Sequence, residues 1–199
     1  MDARLDARSR PDTAALIAEL IDLLQLEYDA LPVYTLAISA VGRSEVRDAL
    51  ASFRDDHQRH IRDLSALLRD LGGMRVPLPH LPTGLLKLGV QAAALPGGDR
   101  AILLAFKSNE WQSKAKYARH AARPHPPEVA DVLRRNAGDE ARHYAWACHT
   151  LDALGCGSGS LVGAATDVFA RVHGTNADVI EAAGRGVLEA TTRLVRTAA

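Results

Sequence analysis

Eight residues of this chain recur at one fixed offset, and that recurrence constrains the fold more than any other feature. Glu27 is matched by Glu110, Tyr34 by Tyr117, Glu45 by Glu128, Asp56 by Asp139, Arg59 by Arg142, His60 by His143, Leu71 by Leu154 and Gly72 by Gly155, each pair 83 positions apart. Within each half the Glu precedes the His by one step, since 60 − 27 = 33 and 143 − 110 = 33. Self-similarity at a fixed offset marks two copies of one supersecondary unit.

That unit reads as a helical hairpin. After Pro11 the apolar residues Leu16, Leu20, Leu23, Leu24, Leu31 and Ile38 fall at spacings of three, four and seven, which predicts one buried helical face. Asp12 or Thr13 is the expected cap, Pro32 the expected kink or bulge, and Gly42 the stop. Ser44 is the expected cap of a second helix, which carries Val46, Leu50, Phe53, Ile61, Leu64 and Leu68 and stops at Gly72-Gly73. So short a connection makes the pair antiparallel. The stretch MRVPLPHLPTG cannot be helical throughout. With a small apolar helix from about Thr83 to Leu95 it forms a long crossover. The second hairpin runs from about Asp99 to Ala122 and from Pro127 to Leu154, and helices over Ser160–His173 and Thr175–Thr197 follow. The expected class is all-α: a four-helix bundle of two repeated antiparallel hairpins with extra C-terminal helices. Its expected parts are residues 1–11 as a tail, 12–155 as the bundle and 156–199 as the extension.

The repeat carries chemistry. Glu140 and His143 stand three apart on one helix, so both side chains reach the same point in space. Glu27 and Glu110 add one carboxylate from each first helix, and Glu27 stands among leucines, where an unpaired carboxylate is costly. In the first half the matching pair is His57-x-x-His60, with His57 where the second half has Glu140. Asp56 and Asp139 precede these pairs, and Tyr34 and Tyr117 follow their Glu by two turns. Lys114, one turn after Glu110, either pairs with it on the surface or competes with a metal. His80 and His125 fall in proline-rich loops, His120 and His149 fit helix surfaces and His173 ends a helix; none of them repeats.

These residues, together with DDHQRHIRDLSALLRDLGG and DEARHYAWACHTLDALG, resemble the ferritin-like superfamily, its rubrerythrin-type members above all. Di-metal proteins of that kind draw one Glu from each of two helices and Glu-x-x-His from the other two. The resemblance implies a ferritin-like four-helix bundle, with Glu27, His60, Glu110, Glu140 and His143, joined by His57, as ligands to two metal ions. Iron is the expected metal, with Mn or Zn also admitted by the ligand set. Asp56 and Asp139 are expected either to orient the opposing histidines or to be solvated helix-face acids. Tyr34 and Tyr117 are expected either to bond a ligand or carry an electron, or simply to pack. The departure at His57 leaves three carboxylates against the four positive charges of two divalent ions, which implies a weaker or asymmetric centre.

The resemblance further implies iron handling or oxidative-stress defence, with O2 or peroxide as the reacting partner. The alternatives are a metal-free helical interaction protein, and an oxygenase or Mn catalase on the same scaffold. Twenty-four basic residues balance 24 acidic ones, so no bulk charge draws the chain to nucleic acid or to a membrane surface. The N-terminal residues lack the apolar stretch of a signal peptide, and Cys148 and Cys156 suit a reducing compartment, so a cytoplasmic protein is expected. The amphipathic tail pattern around Val187 and Leu194 is expected either to cap the bundle or to pair two copies as a homodimer.

Overall fold

The computed structural model describes residues 3–74, 77–172, 174–176, 179 and 181, and the side chains from residue 13 onward. Among these residues there is no strand. The helices are α1 (Ala3–Ala40), α2 (Ser44–Asp70), α3 (Thr83–Ala93), α4 (Gly98–Ala121) and α5 (Pro127–Ala153), with a 3₁₀ turn at Leu95–Gly97. Residues 161–172 are also helical. The expected second tail helix, Thr175 to Thr197, lies for the most part outside the described residues.

α1 pairs with α2 and α4 with α5, while α1 meets α4 and α2 meets α5 across the bundle. α3 lies against α1 and α4. Both hairpins end alike. Gly72 (φ 70°) and Gly155 (φ 72°) adopt the left-handed conformation that a glycine takes without a Cβ penalty. Gly73 N–H then donates to the Leu68 carbonyl, and Cys156 N–H to that of Leu151, closing each final turn.

Two local expectations, at Pro11 and at Ser44, give way. α1 begins at Ala3, so Pro11 lies within it; a proline deletes one backbone hydrogen bond, which a run of Ala, Leu and Arg tolerates. The α-helix also continues across Pro32. Ser44 is the first residue of α2 rather than its cap. Instead Asp99, at the start of α4, accepts from the Gly42 and Arg43 amides at 2.7 and 3.2 Å, tying the first loop to the second hairpin.

Two apolar layers occupy the bundle. One gathers Val41, Leu50, Phe53, Ile102, Phe106 and Leu151 near the α1–α2 loop. The other gathers Leu20, Leu24, Leu64, Leu68, Leu133 and Tyr117 at the opposite end. Each draws on all four long helices. Between them lies a polar layer.

α1 and α4 are buried on more sides than the sequence periodicity predicts. Asp22 and Asp29 on α1 are each 1% exposed, because α3 covers that second face. On α4 even Lys107, Ser108, Gln112 and Lys116 are buried.

A candidate metal centre

All six predicted ligand residues lie in the polar layer, each 2% exposed or less. They form two overlapping sets, Glu27–His57–His60–Glu140 and His57–Glu110–Glu140–His143, whose donor atoms lie within 4.8 Å of one another in each set. The two shared members, His57 and Glu140, occupy equivalent positions of the repeat (140 − 57 = 83). The duplicated hairpins thus meet about an axis that passes between them.

The imidazoles turn Nδ1 inward. His57 Nδ1 is 2.6 Å from Glu27 Oε2 and 3.6 Å from Glu140 Oε1. His60 Nδ1 is 3.3 Å from Glu27 Oε1 and 3.5 Å from Glu140 Oε1. His143 Nδ1 is 3.7 Å from Glu110 Oε2. Tyr34 donates to Glu110 Oε1 at 3.1 Å, and Tyr117 donates to Glu27 Oε1, so each tyrosine serves the carboxylate of the other hairpin.

The outer nitrogens of two histidines meet acids across the α2–α5 seam. His60 Nε2 is 3.1 Å from Asp139, and His143 Nε2 is 3.0 Å from Asp56. Two arginines close a ring around these acids. Arg59 donates to Asp56 at 2.6 Å and to Asp139, and Arg142 donates to Asp139 at 2.6 Å and to Asp56 at 2.5 Å. Both acids are therefore held as anions. Burial raises Asp139, but hydrogen bonds from His60 and Arg142 outweigh it and keep it below the usual carboxylate range. Asp56 is lowered likewise, by His143 and Arg59. An anion on Nε2 fixes the ring with Nδ1 facing the interior and makes that nitrogen the better donor. Replacing Asp139 by Asn should loosen His60 and lower the affinity for a divalent metal by about 10–100-fold, readable by Mn(II) titration.

His57 has no such partner, and its Nε2 is a buried atom without a hydrogen bond. Three inner oxygens share that state: Glu110 Oε2 and both oxygens of Glu140. Burial pushes the Glu140 carboxyl well above its ordinary value, with Glu110 and Glu27 reinforcing and the histidines opposing. Burial alone would raise Glu27 too, but His60 and His57 outweigh it and hold it low. Burial depresses His60, yet Glu27 and Asp139 push it up to about 10, and His57 is raised by Glu140 and Glu27 in the same way. Tyr34 and Tyr117 are driven well above their ordinary value by burial and the facing carboxylates, so both remain neutral donors.

The spacings suit a metal. Two donors on one tetrahedral ion at ~2.0–2.2 Å lie about 3.3–3.6 Å apart, which is the range of the His–Glu140 and His60–Glu27 separations. The shorter His57–Glu27 contact is a hydrogen bond that an incoming ion would have to open. Three carboxylates and three imidazoles at such spacings fit divalent Fe, Mn or Zn better than a hard, all-oxygen cation.

Lys114 does not enter the layer; its ammonium lies 4.3 Å from the Tyr144 ring centroid. His120 is not on a helix surface: it is 7% exposed and pairs with Glu19 at 2.5 Å. His80 stays in its loop, but its ring is buried among charged groups on the far side of α1. Both cysteines are free thiols. The polar cluster around His80 escapes sequence reasoning, because its members repeat at no offset and Lys and Asp read as surface residues. Matching the chain against protein-family models, curated proteins and solved structures returns no match in any of the three.

Proposed function

We propose that this chain is a ferritin-like protein that binds a pair of metal ions, iron first among them, and acts in iron handling or oxidative-stress defence. One observation carries the reading. Three buried oxygens, one on Glu110 and two on Glu140, lie in one layer without hydrogen-bond partners, and that arrangement is unfavourable unless something binds them. One ion fits the Glu27–His57–His60–Glu140 set and a second fits Glu110 and His143, with Glu140 central to both. Bound iron would supply one-electron redox chemistry toward O2 or peroxide.

The residues around the ions have separable tasks. Asp139 and Asp56, locked by Arg59 and Arg142, orient His60 and His143. The Tyr34 and Tyr117 hydroxyls hold Glu110 and Glu27 in position while leaving one oxygen of Glu110 unengaged. His57, replacing a carboxylate, removes one negative charge and makes the two ion positions unequal in affinity.

A metal-free structural role is favoured by a different observation. Three acids face three bases in the layer, and both Glu27 oxygens already have partners. Metal content after Fe(II) addition in air separates the readings. The first expects one to two irons per chain, the second position filling more weakly. Less than a tenth of an equivalent of any transition metal after loading would leave the structural role standing.

A further inference from the structure

A second buried cluster lies behind α1, on the face away from the metal layer. Asp22 and Asp29 of α1, His80 of the crossover, Lys87 of α3, Lys116 of α4 and Glu181 of the C-terminal segment are each at most 6% exposed. Their three acids and three bases balance. Lys87 donates to Asp29 at 2.6 Å, and Lys116 pairs with Asp22 at 2.9 Å and with Glu181 at 2.6 Å. His80 bridges Asp22 and Asp29, with its ring nitrogens 3.0 Å from each. Donor atoms of Asp22, His80 and Glu181 lie close enough for a metal, but two ammonium groups already occupy the carboxylates. The cluster is an ionic lock, not a cation site.

Glu181 is its distal member in sequence. It accepts from Thr83 at 3.0 Å, from Gln112 at 3.3 Å and from Lys87 at 3.5 Å, besides Lys116, so one carboxylate joins α3 to α4. Burial raises its carboxyl, but Lys87, Lys116 and His80 outweigh that and bring it to about 2, so it stays an anion. A second contact fixes the same segment. Gly174 is buried against Trp111, where a Cβ would come within 2.5 Å of the indole ring. Lys87 also belongs to the wall of a cavity of about 10 Å³, the room of one water molecule. That cavity is lined by Asp29, Lys87, Asn109, Ser113, Tyr34 and Glu110. Asn109 presents an amide with no partner on either atom. The cavity therefore joins the lock to the carboxylate of the metal layer.

We propose that Glu181 is a clasp by which the C-terminal segment holds α3 down over this cavity and so controls passage between solvent and the Glu110 side of the polar layer. The clasp stands independently of the metal; its effect on metal exchange rests on the function proposed above. Without Glu181, only Asp22 and Asp29 face Lys87, Lys116 and His80, which leaves one buried positive charge in excess, and relief comes by lifting α3 into water.

Hydrogen exchange of the full-length, metal-free protein tests the clasp. Glu181→Gln keeps the shape, removes the charge, and should accelerate exchange of the α3 amides by at least about tenfold, with the α2 amides unchanged. Unchanged α3 exchange overturns the proposal. Should that variant fail to fold, Thr83→Val takes one hydrogen bond from Glu181 and should give a smaller acceleration of the same sign; none overturns it equally. In metal-loaded protein, chelator extraction should be about tenfold faster for Glu181→Gln at unchanged stoichiometry. Faster α3 exchange with unaltered extraction would overturn the control of passage while keeping the clasp. A parent protein that takes up no metal would sink the metal reading and leave the exchange result to decide the clasp.

Discussion

Glu140→Leu protein should take up less than about a fifth of the parent's metal, yet should unfold, metal-free, at a higher temperature. The two effects share one cause. Both Glu140 oxygens are buried without a hydrogen-bond partner, and the residue belongs to both donor sets. Replacing a buried, poorly satisfied polar group with an apolar one of similar size is often neutral or stabilising, here by about 1–2 kcal/mol. For a chain of this length that amounts to roughly 2–8 °C in the unfolding midpoint. Losing a central carboxylate leaves two for two divalent ions, too few to balance them. Calorimetric scans of the metal-free proteins and metal analysis after loading check both halves. A metal-free midpoint lowered by several degrees would show that Glu140 serves stability instead. Full metal uptake by Glu140→Leu, and likewise by Glu27→Ala, would show that the ligands are elsewhere.

Mn(II) binding should tighten by about 100-fold or more between pH 6 and pH 8, with protons released. Binding needs Glu140 as an anion and His57 and His60 as neutral donors. In the metal-free layer burial raises Glu140, and the facing carboxylates raise both histidines, so each gives up its proton less readily than it would in water. Each displaced proton is worth about tenfold in affinity per pH unit below its pKa. The metal-free protein has the opposite trend. His60 rises from an ordinary 6.5 to about 10, so its contribution is full below pH 6.5 and is lost as the pH climbs through 10. Glu27 is depressed from an ordinary 4.5, so its share is present above that value and is lost as acid protonates it. These are two sides of one ion pair, together on the order of 3 kcal/mol, and metal-free stability from this pair is greatest between about pH 4.5 and 6.5. Titration calorimetry in two buffers of different ionisation enthalpy counts the protons. Release of less than about half a proton per ion would mean that the histidines are already neutral.

The proposed clasp, the outer acids and the polar layer make different demands on the chain, which is why they differ in how visible they are. The layer must place equivalent groups from two hairpins around one axis, so it is written as a repeat. Its donors also sit at helical spacings that a linear reading can follow. The outer acids share that repeat, and their pairing with the histidine of the opposite half follows from hairpins meeting across α2 and α5.

What the sequence by itself determined was therefore the helical class, the two hairpins with their glycine ends, and six acids and imidazoles duplicated in register. Tertiary structure alone decided which second faces of α1 and α4 were covered, that Asp99 ties down the first loop, and that His80, Lys87, Lys116 and Glu181 meet. Periodicity reports the face a helix turns to its hairpin partner, because burial there is apolar and repeats every turn. Burial under a crossover or a distant tail is satisfied by opposite charges brought from far along the chain, and such residues look like solvent-facing ones until the chain has folded.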